Sequence, residues 1–242
     1  MLSCYNIYMT KGKFIVIEGL DGSGTTTQCR MLAETLARFD VPIWLTAEPV
    51  NDSPTGKRIR SILRGDEKVP PETLAELFAE DRREHLYGKN GIVDHLKHGH
   101  TVICDRYKFS SIAYQSVSCD PKMVRNLNRY FPNPDYLFYL QTPVDVCLQR
   151  IADRNGTPEI FEKKEYLEAV GDIYWNYFYS HKASRICTQF CAGSTPAARV
   201  AYYILLAVVS CSREIFPYYR LDELKSFMEE KSDEVYKIGL TL

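Results

Sequence analysis

Short runs of β-branched and aromatic residues alternate along this chain with longer segments of helical period. That rhythm predicts parallel strands buried beneath helices on both faces. Four runs are expected strands: Phe14 to Glu18, Ile43 to Ala47, Thr101 to Asp105 and Tyr136 to Gln141, with a weaker fifth near Arg185 to Phe190. Helical period is expected at about Thr25 to Phe39, Pro71 to Lys97 with a break near Gly88, Ser110 to Tyr130 with a break near Asp120, and Pro143 to Arg154. Proline in the first turn supports two of those starts, since its missing N–H would have no helical partner there. The fold class is therefore α/β, a three-layer arrangement with a central five-stranded parallel sheet flanked by helices.

Turn chemistry interrupts the pattern at Asn155-Gly156-Thr157-Pro158, and the charged stretch Glu159 to Glu168 follows before helix resumes toward Tyr179. This reads as a mobile flap, a short lid at about 154–168. The most apolar run, Val200 to Val209, is flanked by Arg199 and Arg213. It has half of the about 20 residues that a membrane crossing needs, so a buried helix is expected. From Ala192 onward only core-like and solvated helical patterns follow, with a helical extension at about 212–242 and a solvated amphipathic helix at Asp222 to Tyr236. With no repeat or linker, residues 1–242 read as one domain.

Composition narrows the partners more than the fold. The 242 residues are 45% hydrophobic, enough for one sizeable core, and 30 basic against 31 acidic residues leave a net charge of -1. Such a field gives no general attraction to nucleic acid or to a membrane, so any phosphate site must be local. The eight cysteines are scattered without CxxC pairing, and Met1 to Gly12 has no secretory pattern. Reduced thiols and a cytoplasmic location are expected.

The first strand runs straight into Gly19-Leu20-Asp21-Gly22-Ser23-Gly24-Thr25-Thr26, and helical period begins at once. Glycines in this setting let backbone N–H groups turn onto phosphate oxygens, the helix presents its positive end, and a hydroxyl at the last position can hold Mg²⁺. Gly19, Gly24 and Thr26 occupy those places in a P-loop NTPase-type pattern. Thr25 stands where that pattern has a lysine whose ammonium reaches the outer phosphates. A charge-assisted hydrogen bond is worth roughly 1.5–3 kcal/mol, so its loss costs about one or two decades in rate unless another cation takes over.

The third strand ends in Asp105-Arg106-Tyr107, which puts an acid at the carboxyl edge of the sheet, where open α/β folds bind ligands. Asp105 can orient Mg²⁺ or its water, and Arg106 can grip phosphate with two donors. Ser111 and Gln115 are one helical turn apart and share a face, as do Phe78 and Arg82. The first pair can read a base edge; the second offers an aromatic plane and a forked donor. His95, His98 and His100 lie close together, but no carboxylate or thiol completes a ligand set, so a solvated helix end is expected. Cys187 and Cys191 are expected to be core thiols.

Glu18-Gly19-Leu20-Asp21-Gly22-Ser23-Gly24, Glu48-Pro49, Leu77-Phe78-Ala79-Glu80-Asp81-Arg82, Asp105-Arg106-Tyr107 and Ala113-Tyr114-Gln115 together resemble the ordered motif series of thymidylate kinases, over roughly Lys13 to Tyr179. The resemblance implies transfer of the ATP γ-phosphoryl group to thymidine monophosphate, with Mg²⁺, by a homodimer. It implies ATP contacts from Gly19, Gly22, Ser23, Gly24, Thr25, Thr26 and Thr27, and metal contacts from Thr26 and Asp105. It places Phe78 on the base, Arg82 at its exocyclic oxygen, Ser111 and Gln115 completing recognition, Asp21 and Arg106 by the acceptor phosphate, and Glu48 and Arg60 near that end. Two departures remove positive charge: Thr25, and Ala47 where many members have arginine. Gly22 also lacks the loop arginine of one branch, whose role falls elsewhere to lid arginines, and Arg150 and Arg154 are the candidates here. Two readings stay open beside this one: a kinase for another pyrimidine nucleotide or deoxynucleoside, and a nucleotide-binding regulatory subunit without turnover.

Overall fold

The computed structural model describes residues 12–154, 159–180, 187–191, 193, 195–211 and, toward the C-terminus, 223, 226–227 and 229–231. Its strands are β1 (Phe14–Gly19), β2 (Ile43–Ala47), β3 (Thr101–Asp105), β4 (Tyr136–Gln141) and β5 (Cys187–Cys191). All neighbours pair in parallel, in the order β2-β3-β1-β4-β5. Register aligns Ile17 with Asp105 and Asp105 with Ala47, so the ends of β1, β3 and β2 meet at one carboxyl edge.

The helices are α1 (Thr25–Ala37), α2 (Pro54–Leu63), α3 (Pro71–Tyr87), α4 (Ile92–Lys97), α5 (Lys108–Gln115), α6 (Pro121–Asn128), α7 (Val144–Ala152), α8 (Lys164–Ser180) and α9 (Ala197–Cys211). Alternation along β1 divides the core into two layers. Ile15 and Ile17 pack with Leu32 and Leu36 of α1 and Ile204 and Val208 of α9, whereas Phe14 and Val16 pack with Phe109 of α5 and Leu167, Val170 and Tyr174 of α8. The apolar run at 200–209 thus forms the buried helix its length predicts, and no described helix is long and apolar enough to cross a membrane.

The expected helix over 71–97 divides at Gly88, and the one over 110–130 divides at Asp120, whose side chain accepts from the Lys122 N–H to start α6. α2 is an addition to the sequence reading. Its start is a capping arrangement in which Ser53 Oγ accepts the Gly56 N–H and Pro54 sits in the first turn. Outside the described residues lie the flap turn 155–158 and most of the extension 212–242, with most of the helix expected at 222–236. The side chains of β5 lie there too, those of Cys187 and Cys191 among them.

One buried carboxylate ties the sheet edge to the helices around it. Glu18, wholly buried, accepts the Tyr107 N–H at 2.9 Å and the Ser110 N–H at 3.2 Å on Oε1, and the Ser110 hydroxyl at 2.6 Å and the Tyr174 hydroxyl at 2.9 Å on Oε2. β1, the start of α5 and α8 are therefore joined through one side chain. Burial raises its pKa from 4.5 to about 7, against the lowering effect of Ser110, Arg106, Tyr174 and the Tyr107 amide.

A raised native pKa means that the folded state binds the proton more tightly than the unfolded chain. The stability from this group is therefore full below pH 4.5 and lost as pH rises through about 7, a span worth roughly 3 kcal/mol. Glu18→Gln should flatten the fall in melting temperature between pH 5 and pH 8 relative to the native chain. Parallel curves for the two proteins would show that Glu18 does not titrate in this range.

Candidate active site

The loop between β1 and α1 turns on Gly22 (φ +83°) and Gly24 (φ +99°), both in the left-handed region that side chains disfavour. A Cβ on Gly22 would lie 2.4 Å from the carbonyl oxygen of Cys147 in α7, whereas one on Gly24 would meet nothing within 4 Å. Gly22 therefore has no room for the arginine of the other branch. Thr25, the first residue of α1, is buried at 5% exposure. Thr26 follows, and its hydroxyl donates to Asp105 Oδ2 at 2.5 Å, joining loop to strand end.

Arg106 has φ +69°, a strained value for a non-glycine residue. Its guanidinium donates to Gly19 O and to Asp21 Oδ1, each at 2.6 Å, and lies 5.3 Å from the Tyr114 ring centroid. The Tyr114 hydroxyl in turn accepts the Asp21 N–H at 2.8 Å. Asp21, Arg106 and Tyr114 form one cross-braced unit on the loop.

Across the cleft, α3 supplies Phe78 and Arg82, and α5 supplies Ser111 and Gln115. Phe78 is partly buried against Ile59, Leu63 and Leu77 and lines the opening. Arg82, 1% exposed, donates through Nε to Glu48 Oε2 at 2.8 Å, through Nη1 to Asn128 Oδ1 at 2.5 Å and through Nη2 to Ser111 Oγ at 3.0 Å. Those bonds and the contact of Nη2 with Glu48 at 2.7 Å take at most four of its five donors, so a fifth is left for a ligand. Gln115 is 4% exposed, and its Oε1 has no hydrogen-bond partner among the described residues.

The lid segment closes the remaining side. The Ile160 N–H donates to Leu63 O at the end of α2 (2.9 Å), and Phe161 stacks on Tyr166 at 4.8 Å. Glu159, Phe161 and Glu162 thus join the cleft, a cavity of about 450 Å³ that also takes in Asp21, Thr25, Thr26, Phe78, Arg82, Asp105 and Gln115. Burial, with Asp21 and Glu162 beside it, raises the Glu159 pKa. The sequence marked 159–168 only as a charged cover, and Tyr114 only as part of a motif; their contacts span too much chain to be legible in it.

Charge is scarce here. The carboxylates of Asp21, Glu48, Asp105, Glu159 and Glu162 face the guanidinium groups of Arg60, Arg82, Arg106 and Arg154, so the lining has no excess of positive charge. Arg82 and Arg106 are tied to Glu48 and Asp21, and Arg60 donates to Asn51 Oδ1 at 2.7 Å. Arg154 is exposed, and its side chain forms no hydrogen bond or ion pair with the described residues. Arg150 takes a different position, away from the cleft lining. Its guanidinium holds the carbonyls of Gly22 and Ser23 at 3.3 and 3.4 Å and that of Gly193 at 3.3 Å, bracing the loop from α7.

Asp105 Oδ1 is buried without a hydrogen-bond partner among the described residues. With the Thr26 hydroxyl beside it, this is a hard-oxygen pair suited to Mg²⁺, which takes few protein ligands and completes its shell with water and phosphate. The residues fit the ion. The histidines lie elsewhere: His95 stacks on Trp44 at 4.0 Å and meets His100 at 5.0 Å.

A family model described as thymidylate kinase matches residues 17–191. The "Probable thymidylate kinase" of Methanocaldococcus jannaschii is 46% identical over 167 residues, 69% of this chain and 81% of that protein. The thymidylate kinase of Leptospira interrogans is 40% identical over 164 residues, 66% of this chain and 79% of its own length. A solved structure of thymidylate kinase from Candida albicans superposes with a TM-score of 0.68, covering 83% of this chain and 92% of that one at 24% identity, a likeness of fold. The match to the family model and the level of identity agree with the loop, the paired acid and arginine and the facing aromatic wall: the chain belongs to the thymidylate kinase family.

Proposed function

We propose that the cleft transfers the γ-phosphoryl group of ATP to thymidine monophosphate in the presence of Mg²⁺, yielding thymidine diphosphate for the synthesis of the triphosphate. The observation that carries this reading is one cavity of about 450 Å³ shared by the phosphate loop and by Phe78, Arg82, Ser111 and Gln115.

On this reading the amides from Gly19 through Thr27, with Gly22, Ser23, Gly24, Thr25 and Thr26 between them, hold the ATP phosphates. Thr26 and Asp105 hold Mg²⁺, which supplies charge neutralisation on the phosphates when bound. Phe78 stacks on the pyrimidine, Arg82 donates to its exocyclic oxygen, and Gln115 Oε1 accepts the ring N–H. Arg106, braced by Asp21, and Arg60 receive the acceptor phosphate, with Glu48 behind them. The lid residues Glu159, Phe161 and Glu162 exclude water that would otherwise consume ATP.

The lysine's duty passes to Arg154, whose side chain has no competing ion pair among the described residues, while Arg150 keeps the loop in shape. The same reading includes a homodimer in a reducing cytoplasm. It accords with the free, buried thiols of Cys29, Cys104, Cys119 and Cys147, and sedimentation equilibrium reads the subunit number directly.

Steady-state release of ADP should be fast with thymidine monophosphate and slower in kcat/KM by at least about 100-fold with deoxycytidine monophosphate, because Arg82 has no acceptor for an amino group. No ADP from any nucleoside monophosphate would remove the reading. Arg154→Ala should lower kcat by about tenfold or more with ATP affinity within about threefold. Thr25→Lys should give little gain alone but restore turnover in the Arg154→Ala background; a large gain by itself would mean that no native cation replaces the lysine. Asp105→Asn should raise the Mg²⁺ concentration for half-maximal rate by about tenfold, and an unchanged requirement would place the ion elsewhere.

A further inference from the structure

We infer that His85 is a positioning residue for acceptor recognition, acting through Glu48 on Arg82; the inference rests on the proposed acceptor. α3 carries Phe78, Arg82 and His85 at spacings of four and three, so all lie on one helical face. Phe78 and Arg82 line the cleft. His85 lies one turn deeper, 7% exposed, against β2.

Its ring is held on three sides. Nε2 lies 2.7 Å from Thr46 Oγ1, Nδ1 lies 3.2 Å from Glu48 Oε1, and the Trp44 ring stands edge-on with centroids 5.7 Å apart. The other carboxylate oxygen, Glu48 Oε2, accepts Arg82 Nε at 2.8 Å, and Arg82 Nη2 reaches Ser111 Oγ at 3.0 Å. A continuous relay thus runs from half-buried Thr46 to the buried His85, Glu48, Arg82 and Ser111.

The chemistry of the partners fixes the roles. Glu48 Oε1 accepts only, so Nδ1 carries the proton, and in the neutral ring Nε2 accepts from the Thr46 hydroxyl. Glu48 is 6% exposed and has both oxygens committed to protein groups, one to each neighbour. A buried carboxylate that loses a donor swings toward whatever donor remains or takes up a proton. Either response turns the guanidinium that meets the base, because Arg82 Nε is anchored to the other oxygen. His85 accordingly sets the direction of the donor fork from behind, touching neither nucleotide.

Two amide substitutions separate this from a packing role. Asn places its amide nitrogen near the Nδ1 position and keeps the donor to Glu48. Gln reaches toward the Nε2 position and keeps only the Thr46 side. Binding by titration calorimetry needs no turnover, so the native chain first tests the acceptor itself. If it binds ATP but not thymidine monophosphate, the proposed acceptor fails and the inference goes with it.

If the native chain binds both, His85→Gln should weaken thymidine monophosphate by about 10- to 100-fold, the loss of one charge-assisted hydrogen bond. His85→Asn should stay within about threefold of native, with ATP affinity unchanged in both variants. Equal affinities of the two variants for the monophosphate, or parallel losses for ATP, would overturn the role of Nδ1. His85→Leu is expected to behave as His85→Gln if it folds, and the Asn and Gln pair decides the matter without it.

Discussion

A carboxylate with no access to water holds this site together. Glu18 stands at the last turn of β1 before the phosphate loop and meets its hydrogen-bonding need from the backbone at the start of α5 and from hydroxyls on α5 and α8. Because α5 carries Ser111 and Gln115 into the cleft and α8 follows the lid, one buried group aligns both halves of the cleft. Burial of a charge is costly unless the partners are complete. The donors around Glu18 are therefore as much a part of the site as the residues that line it.

The same economy governs the charges that face the ligand. Asp21 with Arg106, and Glu48 with Arg82, are pairs formed within the protein itself. Such pairing orients each guanidinium but spends much of its attraction locally, so the net pull on a triphosphate is small. A lysine at position 25 would have been an unspent cation. With threonine there, the side chain at that position contributes no charge.

Much of this was legible in the sequence, for physical reasons that differ between elements. β1, β3 and β4 could be read because burial on both faces makes them near-continuous apolar runs, and the glycine loop because its backbone conformation restricts the residues that fit. α2 was not read although the Ser53-Pro54 start was there to be seen and Ile59, Ile62 and Leu63 recur at helical spacing; it is only ten residues long, with Gly56 in its first turn. Arg150 and Arg154, one helical turn apart in the sequence, stood as equal candidates for the lid arginine. α7 ends at Ala152, so that geometry stops before Arg154 and the two point to different tasks. Glu48 resembled a ligand-facing acid, and only the fold reveals that Arg82 and His85 claim it. Contacts between residues dozens of positions apart, such as the Tyr114 hydroxyl on the Asp21 amide, have no local signature.

The close approach of Gly22 to the Cys147 carbonyl has a corollary for where charge can stand. With a Cβ there only 2.4 Å from a backbone oxygen, any residue larger than glycine would have to push α7 away, and Arg150 would lose its hold on the Gly22 and Ser23 carbonyls. A positive side chain at position 22 is thus excluded by the α7 backbone as well as by the left-handed φ of that residue. The shape of the backbone closes position 22 alone, so a positive group for the phosphates has to stand elsewhere, at position 25 or farther along the chain.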